Sequence, residues 1–179
     1  MSEDKHLLKL LRHGDSRALR RLYEKYRTDL YTVALSLIHD VHAAEDCLQD
    51  VFVRMAERAA DMHIRRNLKG YLVSSVANRA RDRFRKEIKP LDKIEYLGCS
   101  ASAADPAEAL IDREESAQLF DTLTRLPYDQ REVFVLHVQA GMKFKDIAEL
   151  QNVSIKTVLS RYRYAIEKLR KFLDRKDIE

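Results

Sequence analysis

Apolar residues recur three and four positions apart along most of the chain, the period of helices that each bury one face. Leu7, Leu8, Leu10 and Leu11 form a short first stripe that stops at Gly14, a residue suited to closing a helix. Asp15 is then placed to cap a second helix within residues 18–39, whose inward positions are Leu19, Leu22, Tyr23, Tyr26, Leu30, Val33, Ala34 and Leu37. Asp40 is placed to cap a third, with Ala44, Cys47, Leu48, Val51, Phe52 and Met55 turned inward. Residues 58–68 lack the period and read as a loop. A fourth helix over residues 70–88 buries Val73, Val76, Ala77, Ala80 and Phe84. Four helices with short connections can enclose one small core.

Lys89-Pro90 ends this block, since proline disfavours a helical residue before it. Residues 91–105 hold Gly98, Cys99, Ser100, Ala101, Ser102, Ala103 and Ala104 without a periodic stripe, and read as a linker. Asp105-Pro106 restarts helix, with Glu108 three residues after the cap. Leu126-Pro127 opens another helix, through Val133, Phe134 and Leu136 to a stop near Gly141. A short helix over 144–150, a tight turn at Gln151-Asn152-Val153 and a long helix from Ser154 follow. Asn152 tolerates the left-handed conformation that such a turn demands, and the Ser154 hydroxyl can accept from the Thr157 amide. Ile147, Ala148, Val153, Val158 and Tyr162 stand where a helix-turn-helix needs its core, and the last helix buries Val158, Tyr162, Ala165, Leu169 and Phe172. The predicted fold is all-α. Two small helical domains, residues 1–90 and 106–179, are joined by a flexible linker over 91–105, and the C-terminal domain contains the helix-turn-helix.

Composition narrows the class. Only 4 glycines and 3 prolines in 179 residues leave too few turn formers for a sandwich or barrel. No apolar run approaches the roughly 18 residues of a membrane span, and Lys5-His6-Leu7-Leu8-Lys9 is too interrupted for a signal peptide. No membrane insertion is expected. Two cysteines make no disulfide framework, so a reducing cytoplasm is the expected location. Lys and Arg number 33 against 29 Asp and Glu, a net +4 that conceals two basic blocks around an acidic one. Residues 1–90 carry +6, residues 91–125 carry −5 and residues 126–179 carry +3. Basic blocks suit a polyanionic partner, because Lys and Arg that meet phosphates release condensed counterions. They suit a merely solvated helix face as well, so the motifs must choose.

The last helix carries Lys156, Thr157, Ser160, Arg161 and Arg163 away from its apolar stripe, as a recognition helix in a major groove would. The fourth helix carries Asn78, Arg81, Asp82, Arg85 and Lys86 opposite its stripe, with Arg79 and Arg83 at the edges. Asparagine can pair with adenine and arginine with guanine or phosphate. The preceding loop, with Asp61, Met62, His63, Ile64, Arg65, Arg66 and Asn67, mixes groups able to hold an unstacked base. The third helix differs. Glu45, Asp46, Gln49 and Asp50 make an acidic stripe with Phe52 and Arg54 just beyond it, unfit for phosphate but suited to a basic protein partner.

Two other functions are compatible with parts of this pattern. A stand-alone helix-turn-helix regulator accounts for the last 54 residues but leaves the acidic stripe idle. A metal phosphohydrolase would use His39, Asp40, His42, Glu45 and Asp46, yet needs ligands on other helices and no second cluster stands out, so no metal and no cofactor are expected. Cys47 reads as packing and Cys99 as an ordinary thiol rather than as a redox pair.

Several of these segments carry a family resemblance. Ala44-Glu45-Asp46-Cys47-Leu48-Gln49-Asp50-Val51-Phe52-Val53-Arg54 resembles the core-polymerase-binding segment of bacterial sigma factors of the extracytoplasmic-function type. Leu68-Lys69-Gly70-Tyr71-Leu72 with Ala77-Asn78-Arg79-Ala80-Arg81-Asp82 resembles their helix for the −10 promoter element. Leu126-Pro127-Tyr128-Asp129-Gln130-Arg131-Glu132-Val133-Phe134 and Val153-Ser154-Ile155-Lys156-Thr157-Val158-Leu159-Ser160-Arg161 are similar to their −35-binding domain. The chain departs from the family pattern in having no tryptophan and in Lys143, Lys156 and Leu159.

The resemblance implies an initiation factor without catalysis of its own. Its implied partners are core RNA polymerase, met at the clamp helices of the largest subunit, promoter DNA and, as for many members, an anti-sigma factor. It assigns polymerase binding to Asp46, Gln49, Asp50 and Phe52, and −10 DNA to Asn78, Arg79, Asp82, Arg83 and Lys86. A flipped base falls to the loop with Asp61, His63, Arg65, Arg66 and Asn67, and −35 DNA to Lys156, Thr157, Ser160, Arg161 and Arg163. The acidic middle would thread the polymerase's RNA exit region.

Overall fold

The computed structural model describes residues 3–60, 67–88 and 120–176. The chain divides into two compact units, Met1–Glu87 and Ile88–Glu179. The expected linker over 91–105 and the helix restart at Asp105-Pro106 lie outside the described residues. Among those residues the secondary structure is helical, with no strand.

The first unit contains α1 (Glu3–Arg12), α2 (Ser16–Ile38), α3 (Val41–Glu57) and α4 (Leu68–Ile88). Its helix ends follow from local chemistry. Gly14 takes a φ of +83° between α1 and α2, and Asp15 then accepts a hydrogen bond from the Arg17 amide. The reversal between α2 and α3 uses no glycine: His39 sits in the left-handed region at φ +59°. Asp40 beside it accepts from the Ala43 amide at 2.6 Å. The fourth helix starts two residues earlier than its periodicity predicts, because Asn67 accepts from the Lys69 amide at 3.0 Å and Leu68 is already buried.

Leu22, Leu30 and Leu37 of α2, Leu48 and Met55 of α3, and Leu72, Val73, Val76 and Ala77 of α4 form the core of this unit, and Leu7 of α1 is buried as deeply. A fully buried aliphatic side chain contributes about 1.5–3 kcal/mol, so this apolar set dominates the unit's stability. A polar cluster fastens α1 to α2. Lys25 donates to Glu3 at 2.6 Å and to Asp4 at 2.7 Å, and the Tyr26 hydroxyl donates to Asp4 at 2.7 Å. Burial alone would raise the Asp4 pKa, but the bonds from Lys25 and Tyr26 outweigh it and hold the carboxyl below its ordinary value.

The second unit contains helical residues 120–124, α5 (Tyr128–Val138), α6 (Phe144–Gln151) and α7 (Ile155–Lys176). Tyr128 and every residue from Arg131 to Leu136 are buried, so α5 is enclosed on nearly all sides rather than along one stripe. Leu123, Leu126, Ile147, Val158 and Ala165 pack this unit with it. Four rings from three helices reinforce the packing. His137 stacks on Phe144 with centroids 4.0 Å apart, and Tyr162 meets His137 and Phe144 edge-on at 5.1 Å each and lies parallel to Phe134 at 6.4 Å.

Candidate nucleic-acid and partner interfaces

The exposed side of α3 carries Glu45, Asp46 and Gln49, with Asp50 half-exposed at its border. Phe52 does not join them. Its ring is buried and meets Tyr23 of α2 edge-on, with centroids 5.0 Å apart. Three residues after Gln49, position 52 falls back toward the apolar stripe at about 100° per residue, the inward place that its spacing predicts, although the resemblance gives it a polymerase contact. The apolar side chain that does stand on this ridge is Val53, which is 54% exposed.

Along α4, Asn78, Asp82, Arg83, Arg85 and Lys86 are exposed, while Arg79 and Arg81 are partly covered. Arg79 forms an ion pair with Asp50, so the acidic ridge of α3 and the polar face of α4 meet along one seam. Arg81 donates to Asn78 at 3.2 Å. Of the loop expected to take a flipped base, Asp61, His63, Arg65 and Arg66 lie outside the described residues. Asn67 is described, and its side-chain oxygen caps α4.

The other candidate chemistry of this unit is engaged in folding. His39 and Asp40 occupy the corner between α2 and α3, the first as the left-handed residue closing α2 and the second as the cap of α3. Cys47 is buried, and its thiol donates toward the Val76 carbonyl at 3.8 Å. Burial pushes that thiol up to about 11 against a smaller opposing pull from Arg79 and Arg83, so it stays protonated and unreactive near neutrality. Cys99 lies outside the described residues.

The turn between α6 and α7 has the geometry of a helix-turn-helix corner. Asn152 is left-handed at φ +53°, and the Val153 amide returns to the Ala148 carbonyl at 3.0 Å. The Ser154 hydroxyl accepts from the Thr157 amide at 3.1 Å. On α7, Lys156, Thr157, Ser160 and Arg163 are exposed.

Arg161 is placed differently from those four. Its guanidinium donates to Gln151 at 2.7 Å and to Asp129 at 2.6 Å, while the Gln151 amide donates to Glu132 at 2.7 Å. Asp129, Glu132, Gln151 and Arg161 thus form a clasp across α5, α6 and α7. An arginine read as part of the outer basic face holds that face in place from its side. The planar guanidinium suits it to this task, since it reaches two acceptors at once. Glu132 was legible in principle, as a carboxylate set against the apolar run Val133-Phe134-Val135-Leu136. Gln151 gave no such sign.

Comparison with known proteins decides the family. Residues 22–89 match Sigma-70 region 2, and residues 116–169 match Sigma-70, region 4. The chain is 30% identical over 159 residues to the ECF RNA polymerase sigma factor SigM of Bacillus subtilis, covering 83% of this chain and 92% of that one. The chain belongs to the extracytoplasmic-function sigma factors. Sigma factors of this kind direct transcription initiation, and the chain is accordingly an alternative sigma factor. It is also 29% identical over 153 residues to the probable RNA polymerase sigma factor RfaY of Xanthomonas campestris, spanning 83% of this chain and 38% of that longer relative. Among solved structures it resembles CnrH in complex with the cytosolic domain of CnrY, with a TM-score of 0.70, 26% identity and 97% of this chain and 98% of that one covered. No described helix of this sigma factor is long and apolar enough to cross a membrane.

Proposed function

We propose that this sigma factor works by binding alone, in the cytoplasm, with three contact surfaces that divide promoter recognition from polymerase docking. The α3 ridge of Asp46, Gln49 and Asp50, with Val53 among them, docks on the basic face of the core polymerase clamp helices. Phe52 supports that ridge from beneath. The α4 face of Asn78, Arg79, Asp82, Arg83 and Lys86 takes the melted −10 element, and the loop before it receives a flipped base. Lys156, Thr157, Ser160 and Arg163 of α7 enter the upstream duplex at the −35 element, with Arg161 acting as a positioning residue.

The observation that carries this reading is the juxtaposition of opposite charge in one small unit, where an acidic α3 ridge borders a basic α4 face at the Asp50–Arg79 pair. A phosphate-binding surface has no use for the ridge, and a basic protein partner has none for the α4 cations. Two unlike partners account for both. A stand-alone regulator explains only the C-terminal unit. We also propose that a partner protein, an anti-sigma factor, holds the chain silent, on the support that a solved protein of similar fold, the sigma factor RpoE of Bartonella quintana, was crystallised in complex with the anti-sigma factor NepR.

The test is run-off transcription with core RNA polymerase over a promoter library. Defined transcripts that depend on the added chain support the proposal. Duplex binding by the chain alone, with no effect on where polymerase starts, removes it in favour of the stand-alone regulator.

A further inference from the structure

Two aliphatic side chains are about half exposed on the helix that carries the C-terminal basic face. Ile155 and Leu159 of α7 are 47% and 45% exposed. The buried side of this helix is supplied by Val158, Ala165 and Leu169, and neither Ile155 nor Leu159 belongs to that core. Successive helical residues turn by about 100°, which puts Leu159 roughly 60° from Lys156, 40° from Arg163 and 40° from Ile155. The four therefore make one continuous strip, apolar along one edge and cationic along the other. Thr157 and Arg161 lie on the opposite flank, where Arg161 is occupied by Gln151 and Asp129.

Such a strip matches one surface closely. In the major groove the phosphates lie outside and the base edges inside, and the only apolar group those edges present is the C5 methyl of thymine. Cations beside an exposed Ile-Leu pair fit phosphates beside methyl groups. We propose that Ile155 and Leu159 are specificity-determining residues that read thymine methyl groups in the upstream promoter duplex. The inference rests on α7 being the −35 helix and adds what that helix selects.

The test removes the methyl group and nothing else. Promoters are selected by holoenzyme from a library randomised across the upstream element, and each thymine in the selected element is replaced in turn by deoxyuridine. Loss of one buried methyl should weaken wild-type holoenzyme binding about fourfold at one or two positions. Leu159→Ala and Ile155→Ala, both at exposed sites that leave the fold intact, should each become indifferent to uracil at the position that side chain reads. Wild-type binding that ignores every replacement, as expected if the strip docks a protein instead, overturns the inference. So does uracil sensitivity that persists unchanged in both variants. A holoenzyme that selects no upstream sequence removes the −35 reading and this one together, whereas selection without methyl dependence removes this one alone.

Discussion

In α3 and α4 of the N-terminal unit the residues that hold the fold and the residues offered to partners occupy different sides of the helix. Leu48, Met55, Leu72 and Val76 are inside, while Asp46, Gln49, Asn78, Asp82 and Lys86 are outside. Around α7 the two roles interleave. Arg161 lies next in sequence to exposed Ser160, yet it spends its hydrogen bonds on Gln151 and Asp129, and the chain of bonds runs on to buried Glu132. A unit held by apolar burial can change its surface charges at little cost to its fold. A unit whose recognition helix is held by a polar clasp cannot lose the clasp without moving the helix that meets DNA.

The largest expected effect breaks the apolar side of this contrast. Phe52→Ala empties the space against Tyr23 and should destabilise the N-terminal unit by about 3–5 kcal/mol, read by denaturant unfolding of the full chain. A loss of polymerase affinity with unchanged stability would show instead that the ring itself meets the partner. Arg161→Ala should cost the C-terminal unit about 1–2 kcal/mol and weaken promoter binding with it. Arg161→Lys should recover little of either, because an ammonium does not present the planar fork. Full recovery by lysine would make Arg161 a phosphate contact after all. Lys156→Ala sharpens the comparison from the other side: unfolding should be unchanged, and the slope of log binding constant against log salt for holoenzyme on its promoter should fall by about one.

The helices among the described residues, their caps and the apolar stripes were legible because they depend on neighbours in sequence. Asp40, Asn152 and Ser154 act as their residue types require. The early start of α4 is set by Asn67, a strong N-cap residue that the apolar period does not register. His39 at positive φ was missed because the corner has no glycine to announce it. The clasp was missed for a different reason. Asp129 and Arg161 are 32 residues apart, and only the folded packing of α5 against α7 makes them neighbours. The inward place of Phe52 was legible from its stripe, while Val53, one helical step on, falls off that stripe and stands exposed.

The most direct test of the central claim, that the acidic ridge of α3 is a docking surface, reverses one exposed charge of that ridge. Asp46 is exposed on α3, one helical turn before Asp50, and is not itself part of the Asp50–Arg79 pair. Co-purification of the Asp46→Arg chain with core RNA polymerase should be lost while its unfolding curve overlays that of the wild type. Undiminished co-purification would contradict the account.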